Sequence, residues 1–260
     1  MIFQVCLDES GYASRDLDDA FFLAGYIGSI PSWEAFTDLW INLENDSPRL
    51  TSKDFKHLLR TRRNDKRIEK FVSIIKECKL SPIAMQIPNR EYWPVLADMK
   101  KLRQELYSRG IYDAITIKDV SRMENAYYLG FWGIAILLTD IMGRLKRSDS
   151  LRIIYDHNKT ERKTLKEGYQ DVCEIMPENA KWFHVEPSPE TDDDFMPLQA
   201  ADLLVWHMHR DYIGQQSGNP HRDTVWEMLR HSPAILEMVW TERMIRDALH
   251  LDEIRQNHLS

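Results

Sequence analysis

The chain has 260 residues, 43% hydrophobic and 29% charged, a balance that fits a globular protein with a sizeable core and excludes disordered, collagen-like and disulfide-scaffold classes. Its 34 Lys plus Arg stand against 41 Asp plus Glu, a formal charge of -7, which excludes a surface that is basic all over and leaves room for a local basic groove. Cys6, Cys78 and Cys173 are odd in number and widely spaced with no CxxC, which predicts small reduced apolar residues and neither a zinc nor a redox framework.

The first apolar run, residues 2 to 8, predicts a strand that stops at Asp8-Glu9-Ser10-Gly11, a turn signal. It becomes acidic before a signal-peptide core could form, so a cytoplasmic protein is expected. Residues 21 to 28 form a second apolar run, and the short acidic link before it predicts an antiparallel hairpin. Ser32 is placed to cap a helix over 33–43, with Trp33, Phe36, Leu39 and Trp40 on one face. A polar connector over 45–65 follows, then a helix marked by Ile68, Phe71, Val72 and Ile75, and a strand over 83–87 closed by Pro88.

Residues 89–146 read as a helical insertion. It ends in the most membrane-like stretch, Ala126 to Thr139, whose roughly 14 uncharged residues fall short of the roughly 20 a bilayer span needs. A buried core helix is expected there, and no membrane partner. A strand over 151–156, a helix over about 160–176 and a strand near residues 182–185 follow. Asp192-Asp193-Asp194 is placed to cap a helix over 197–212, and residues 222–260 read as an amphipathic helical extension. The apolar positions of that extension either cap the core or form a contact between two copies. Together these elements predict one α/β domain over 1–260, with a mixed sheet and helices on both faces.

Three aspartates end or interrupt apolar elements instead of sitting on a solvated face. Asp8 ends the first strand with Glu9 behind it, Asp156 ends the strand 151–156, and Asp202 lies inside the apolar helix that starts at Pro197. In open α/β sheets the ligand crevice lies at the carboxyl ends of strands. On an ideal helix Gln199, Asp202, Trp206 and His209 share an arc of about a quarter turn beside an apolar face. A buried carboxylate there needs a hydrogen-bonded partner or a cation, and carboxylate oxygens suit Mg²⁺ or Mn²⁺.

Asp8-Glu9-Ser10-Gly11 closing the first strand, together with Gln199-Ala200-Ala201-Asp202-Leu203-Leu204 late in the chain, resembles the domain of unknown function 3800 family over roughly residues 1–215. That family is placed with the ribonuclease H-like fold, whose strand-strand-strand-helix-strand-helix-strand-helix order resembles the order read here. The resemblance implies a metal-dependent nuclease or phosphodiesterase, with Asp8, Asp156 and Asp202 holding Mg²⁺ or Mn²⁺ and Glu9 as a further ligand or orienter. The acid that such nucleases carry on the first helix has no clear match, since Glu34 and Glu44 only flank that helix.

Lys53, Lys56 and His57, followed by a basic run that includes Arg62 and Arg63, are the candidate contacts to nucleic-acid phosphates. Gln199 is a further candidate substrate contact, and His157 could stand beside the metal as an acid or base. His207 and His209 point about 160° apart on a helix, which disfavours a shared zinc. Ser10 has no preceding glycine to make a GxSxG elbow, so a nucleophilic triad is not expected. The alternative to an enzyme is a non-catalytic scaffold for a protein or nucleic-acid partner, favoured by the missing first-helix acid and the negative charge. A phosphotransferase of the actin-like ATPase group is disfavoured by the lack of glycine-rich phosphate loops.

Overall fold

A computed structural model describes residues 1–11, 14–45, 66–144, 149–156, 162–183, 185–191, 195–221, 224–230 and 235–259. The first strand, β1 (Ile2–Ser10), pairs antiparallel with β2 (Ala20–Ser29), as the acidic link between them predicts. β2 pairs antiparallel with β3 (Ser81–Pro88). On the other side of β1 lie β4 (Ser150–Asp156), parallel to it, and then β5 (Ser188–Glu190), parallel to β4. A last short strand, β6 (Leu236–Val239), runs parallel to β3 and completes the six-stranded order β5-β4-β1-β2-β3-β6. The protein is therefore an α/β fold on a mixed sheet.

Alternation along the strands divides the core into two layers. Val5 and Leu7 of β1, Phe21 and Leu23 of β2 and Ile153 and Tyr155 of β4 point into one. Cys6, Phe22, Ala24 and Ile154, the residues between, point into the other. The first layer is covered by α3 (Asn89–Ser108), α4 (Ile117–Met123), α5 (Ala126–Gly143) and α6 (Arg162–Ile175), and by α10 (Glu242–Ala248) and α11 (Leu251–Leu259) near the C-terminus. Covering the second are α1 (Ile30–Asn45), α2 (Lys66–Glu77), α8 (Pro197–Gln216) and α9 (Thr224–Arg230). The remaining helix, α7 (Pro177–Ala180), is a single turn that packs on α6. Helices on both faces explain why β2 is an unbroken apolar run, buried along almost its whole length.

The expected buried helix is α5. Among the described residues it is the one helix long and apolar enough to cross a membrane by length and composition, and half of it is buried against the protein. Gly133 lets it approach the sheet, since a Cβ there would fall onto Met85 and within 2.9 Å of the Trp240 indole nitrogen. The expected α1 also forms, with a different cap. It begins at Ile30, and the Ser29 hydroxyl accepts from the Ser32 amide at 3.3 Å, so the cap is Ser29 and Ser32 lies in the first turn, where Pro31 is tolerated.

Two edges differ from expectation. The strand expected at 182–185 reduces to a single bridge between Phe183 and Leu151, and the ladder forms at Ser188–Glu190. The C-terminal region is not wholly helical, because β6 interrupts it and extends the sheet beside β3. Its apolar anchors Trp226, Leu229 and Trp240 are buried in the protein's own core. The residue immediately before α8 is Met196, and the aspartates expected to cap that helix, 192–194, lie outside the described residues.

Candidate functional site

The carboxyl ends of β1 and β4 lie side by side. Their last paired residues are Leu7 and Tyr155, so Asp8 and Asp156 stand one step further on neighbouring strands, about 4.8 Å apart in the sheet. Both continue the alternation of Cys6 and Ile154, and both therefore point into the layer that holds α8. Asp8 is buried, at 4% exposure, and its Oδ1 accepts from the Glu9 amide at 2.8 Å. Glu190 of β5 is the register partner of Asp156 and continues the row by one strand, an addition the sequence reading lacked.

Glu9 takes the opposite parity, the one shared by Val5 and Leu7, so its side chain heads for the other layer. The structure thus separates it from Asp8 and Asp156 rather than adding it to them.

Asp202 reaches the same layer from above. The predicted arc of α8 is held at both ends: Gln199 Oε1 accepts from Trp40 Nε1 of α1 at 2.9 Å, and His209 meets β1 through Ser10 Oγ at 2.8 Å from Nδ1. Asp202 lies between those anchors, 8% exposed, on a helix that packs across β1 and β2. Gln199 is itself buried and its amide oxygen is used by Trp40, so its role is to seat α8 against α1.

His209 is tied further. Its Nε2 lies 2.6 Å from Asp19 Oδ1, and its ring rests on Phe22 at 5.7 Å. Gly11, with φ +77, makes this junction possible, because a side chain there would strike the Ala20 carbonyl and stand 3.3 Å from His209 Nε2. His207 turns elsewhere, with Nδ1 3.1 Å from His221 Nε2, as the angular separation of the two histidines requires. Burial, helped by the neighbouring His221 and Arg210 charges, pushes His207 down to about 3, so it is neutral in the folded protein at ordinary pH.

Oxygen donors brought from β1, β4 and α8 suit a hard divalent cation. Among the described residues, however, no three His, Cys, Asp or Glu side chains converge tightly enough to hold one. Mg²⁺ commonly takes one or two protein carboxylates and fills its remaining positions with water and substrate phosphate. Asp8 and Asp156 on the paired strand ends would supply two carboxylates to such a partial site, not a complete protein cage. Glu34 of α1 is exposed, so it supplies no first-helix acid. Lys53, Lys56, His57, Arg62 and Arg63 lie outside the described residues, as do Glu44's side chain and His157.

The Ser10–His209–Asp19 chain was not legible beforehand. Its members are 190 or more positions apart in the helix-to-strand direction, and the motif that would announce a serine elbow is missing. The available signal was that His209 shares an arc with Asp202. Comparison with protein-family models, with curated proteins and with solved structures returns no match.

Proposed function

We propose that the protein is a divalent-metal-dependent phosphodiester hydrolase acting on nucleic acid, with Asp8, Asp156 and Asp202 as its acidic centre. The observation that carries this reading is the placement of Asp8 and Asp156 on adjacent parallel strand ends, both directed into the layer where α8 buries Asp202. The ribonuclease H-like resemblance supports it in part, since β1, β2 and β3 pair antiparallel in turn and the parallel β4 and β5 follow on the other side of β1, although α1 and α2 stand between β2 and β3 where the resembled order runs strand to strand. The same resemblance to the domain of unknown function 3800 family assigns acids to a first strand, a later parallel strand and a late helix, which are the elements that bear these three.

Each residue has a definite task in this reading. Asp8, oriented by the Glu9 amide, and Asp156 present oxygens at the crevice, and Glu190 lies beside them. The Trp40–Gln199 and Ser10–His209 bonds fix how far α8 advances over β1 and hence where Asp202 stands. Mg²⁺ or Mn²⁺, when bound, supplies Lewis-acid stabilisation of the charge that develops on the phosphodiester oxygens. Neutral carboxylate replacements test the assignment. Single-stranded DNA and RNA oligonucleotides should be cut in Mn²⁺ or Mg²⁺ and left intact with a chelator. Asp8→Asn, Asp156→Asn and Asp202→Asn should each abolish cutting while remaining folded. Cleavage that survives all three substitutions, or that proceeds in chelator, would overturn the assignment.

A further inference from the structure

A carboxylate can only accept hydrogen bonds, and a neutral imidazole has a single N–H. The 2.6 Å contact between His209 Nε2 and Asp19 Oδ1 therefore fixes the proton of neutral His209 on Nε2. Nδ1 is left with a lone pair, and at 2.8 Å it must accept the hydroxyl proton of Ser10. The serine proton already lies on the path of transfer to the imidazole, and the imidazole is oriented by a third group behind it. That is the geometry by which serine nucleophiles are activated, here with the two ring nitrogens in exchanged roles.

The surroundings suit chemistry as well as structure. The His209 and Asp19 side chains are 23% and 16% exposed, so water reaches the chain. Ser10 stands at the carboxyl end of β1, and its hydroxyl meets His209 on the α8 side of the sheet, where the imidazole rests on Phe22.

We propose that Ser10 is a nucleophile activated by His209, with Asp19 as positioning residue, and that its substrates are carboxylic esters. Ser10 Oγ forms a bond to the acyl carbon as its proton passes to His209 Nδ1. The carbon–oxygen bond to the leaving group breaks, and that alcohol takes the proton from Nδ1. Water then attacks the acyl-serine, giving its proton to Nδ1, and the carboxylic acid leaves as the proton returns to Ser10 Oγ.

The whole chain is treated with an alkyl fluorophosphonate and the modified peptide is mapped by mass spectrometry, with p-nitrophenyl acetate turnover measured in parallel. Ser10 should carry the label and Ser10→Ala should carry none. His209→Gln, verified as folded by its thermal melt, should label roughly 10²–10⁴-fold more slowly. Asp19→Asn should lower kcat for the acetate ester with little change in KM, a split that a purely structural strut would not produce. Chelator should leave labelling unchanged, which separates this activity from the phosphodiester reading. A folded wild-type protein whose Ser10 stays unlabelled, or full-rate labelling in His209→Gln, would overturn the proposal.

Discussion

Trp40 and Gln199 provide the sharpest test of how α8 is held. Trp40 is fully buried, and its indole N–H donates to Gln199 Oε1 at 2.9 Å, 159 positions away in the chain. Trp40→Phe removes the donor and leaves a buried acceptor unsatisfied, at a cost of about 1–3 kcal/mol. The lost ring atoms add a cavity penalty of about 24 cal/mol per Å³ that fails to collapse. The sum is on the order of 2–4 kcal/mol, which for a chain of this length lowers Tm by roughly 5–12 °C. Gln199→Leu should cost about 1–3 kcal/mol for the mirror-image reason, because it strands the indole N–H. With both changes made, neither group is stranded, so the double variant should be more stable than the sum of the singles by about 1 kcal/mol or more. Urea unfolding followed by circular dichroism, at unchanged m, measures all three. Additivity within about 0.5 kcal/mol would refute the coupling and with it the claim that this bond seats α8.

Other expectations follow from the same structure. Gly11→Ala forces a positive φ on a side-chain-bearing residue and drives its Cβ into the Ala20 carbonyl, so a loss of roughly 2–4 kcal/mol is expected in thermal melts. His207 is held neutral by burial down to about 3, whereas in the unfolded chain it takes up a proton near pH 6.5. Folding therefore loses about 1.4 kcal/mol per pH unit from that group as pH falls from about 6.5 towards 3, and nothing above that window. His207→Leu should flatten the acid limb of the stability curve over that range, and an unchanged limb would contradict the assignment. Burial alone would raise the Asp98 carboxyl, but hydrogen bonds from Arg246 and Arg255 outweigh it and hold it below the ordinary carboxylate value. Asp98→Asn should cost about 1–2 kcal/mol at pH 7, partly screened because the pair is not fully enclosed, by loosening α10 and α11 from α3. That deficit should vanish as pH falls through the depressed value of the wild-type carboxyl, where Asp98 itself becomes neutral.

The central strands were legible because each carries its own signal. β2 is a continuous apolar run, β1 and β4 are apolar but for Gln4 and Arg152, and the turn to acidic residues at Asp8 and Asp156 flags the carboxyl-terminal part of each strand. Asp8, Asp156 and Asp202 could therefore be picked out from sequence, and the structure directs all three into one layer. The edges were not legible. β5 is three residues with a proline at its centre, tolerable only on an edge, and its identity comes from pairing with β4. β6 has four residues, half-exposed, and its apolar spacing resembles the helices around it until β3 supplies a ladder. Glu9 shows the cost of reading adjacency without parity, since the residue next to Asp8 necessarily points to the opposite face. The Ser10–His209–Asp19 chain depends on α8 arriving at the β1 end, which no local pattern specifies.

The most direct test of the acidic centre is thermal melting with and without millimolar Mn²⁺ or Mg²⁺, on wild type, Asp8→Asn and Asp202→Asn. A cation that binds the native state at a site of about 10 μM affinity adds roughly 2.7 kcal/mol of stability at hundredfold excess. The carboxylate account predicts a rise in Tm for wild type that disappears in both variants. No rise in wild type, even with a single-stranded oligonucleotide present to supply phosphate ligands, or an equal rise in all three proteins, would contradict it.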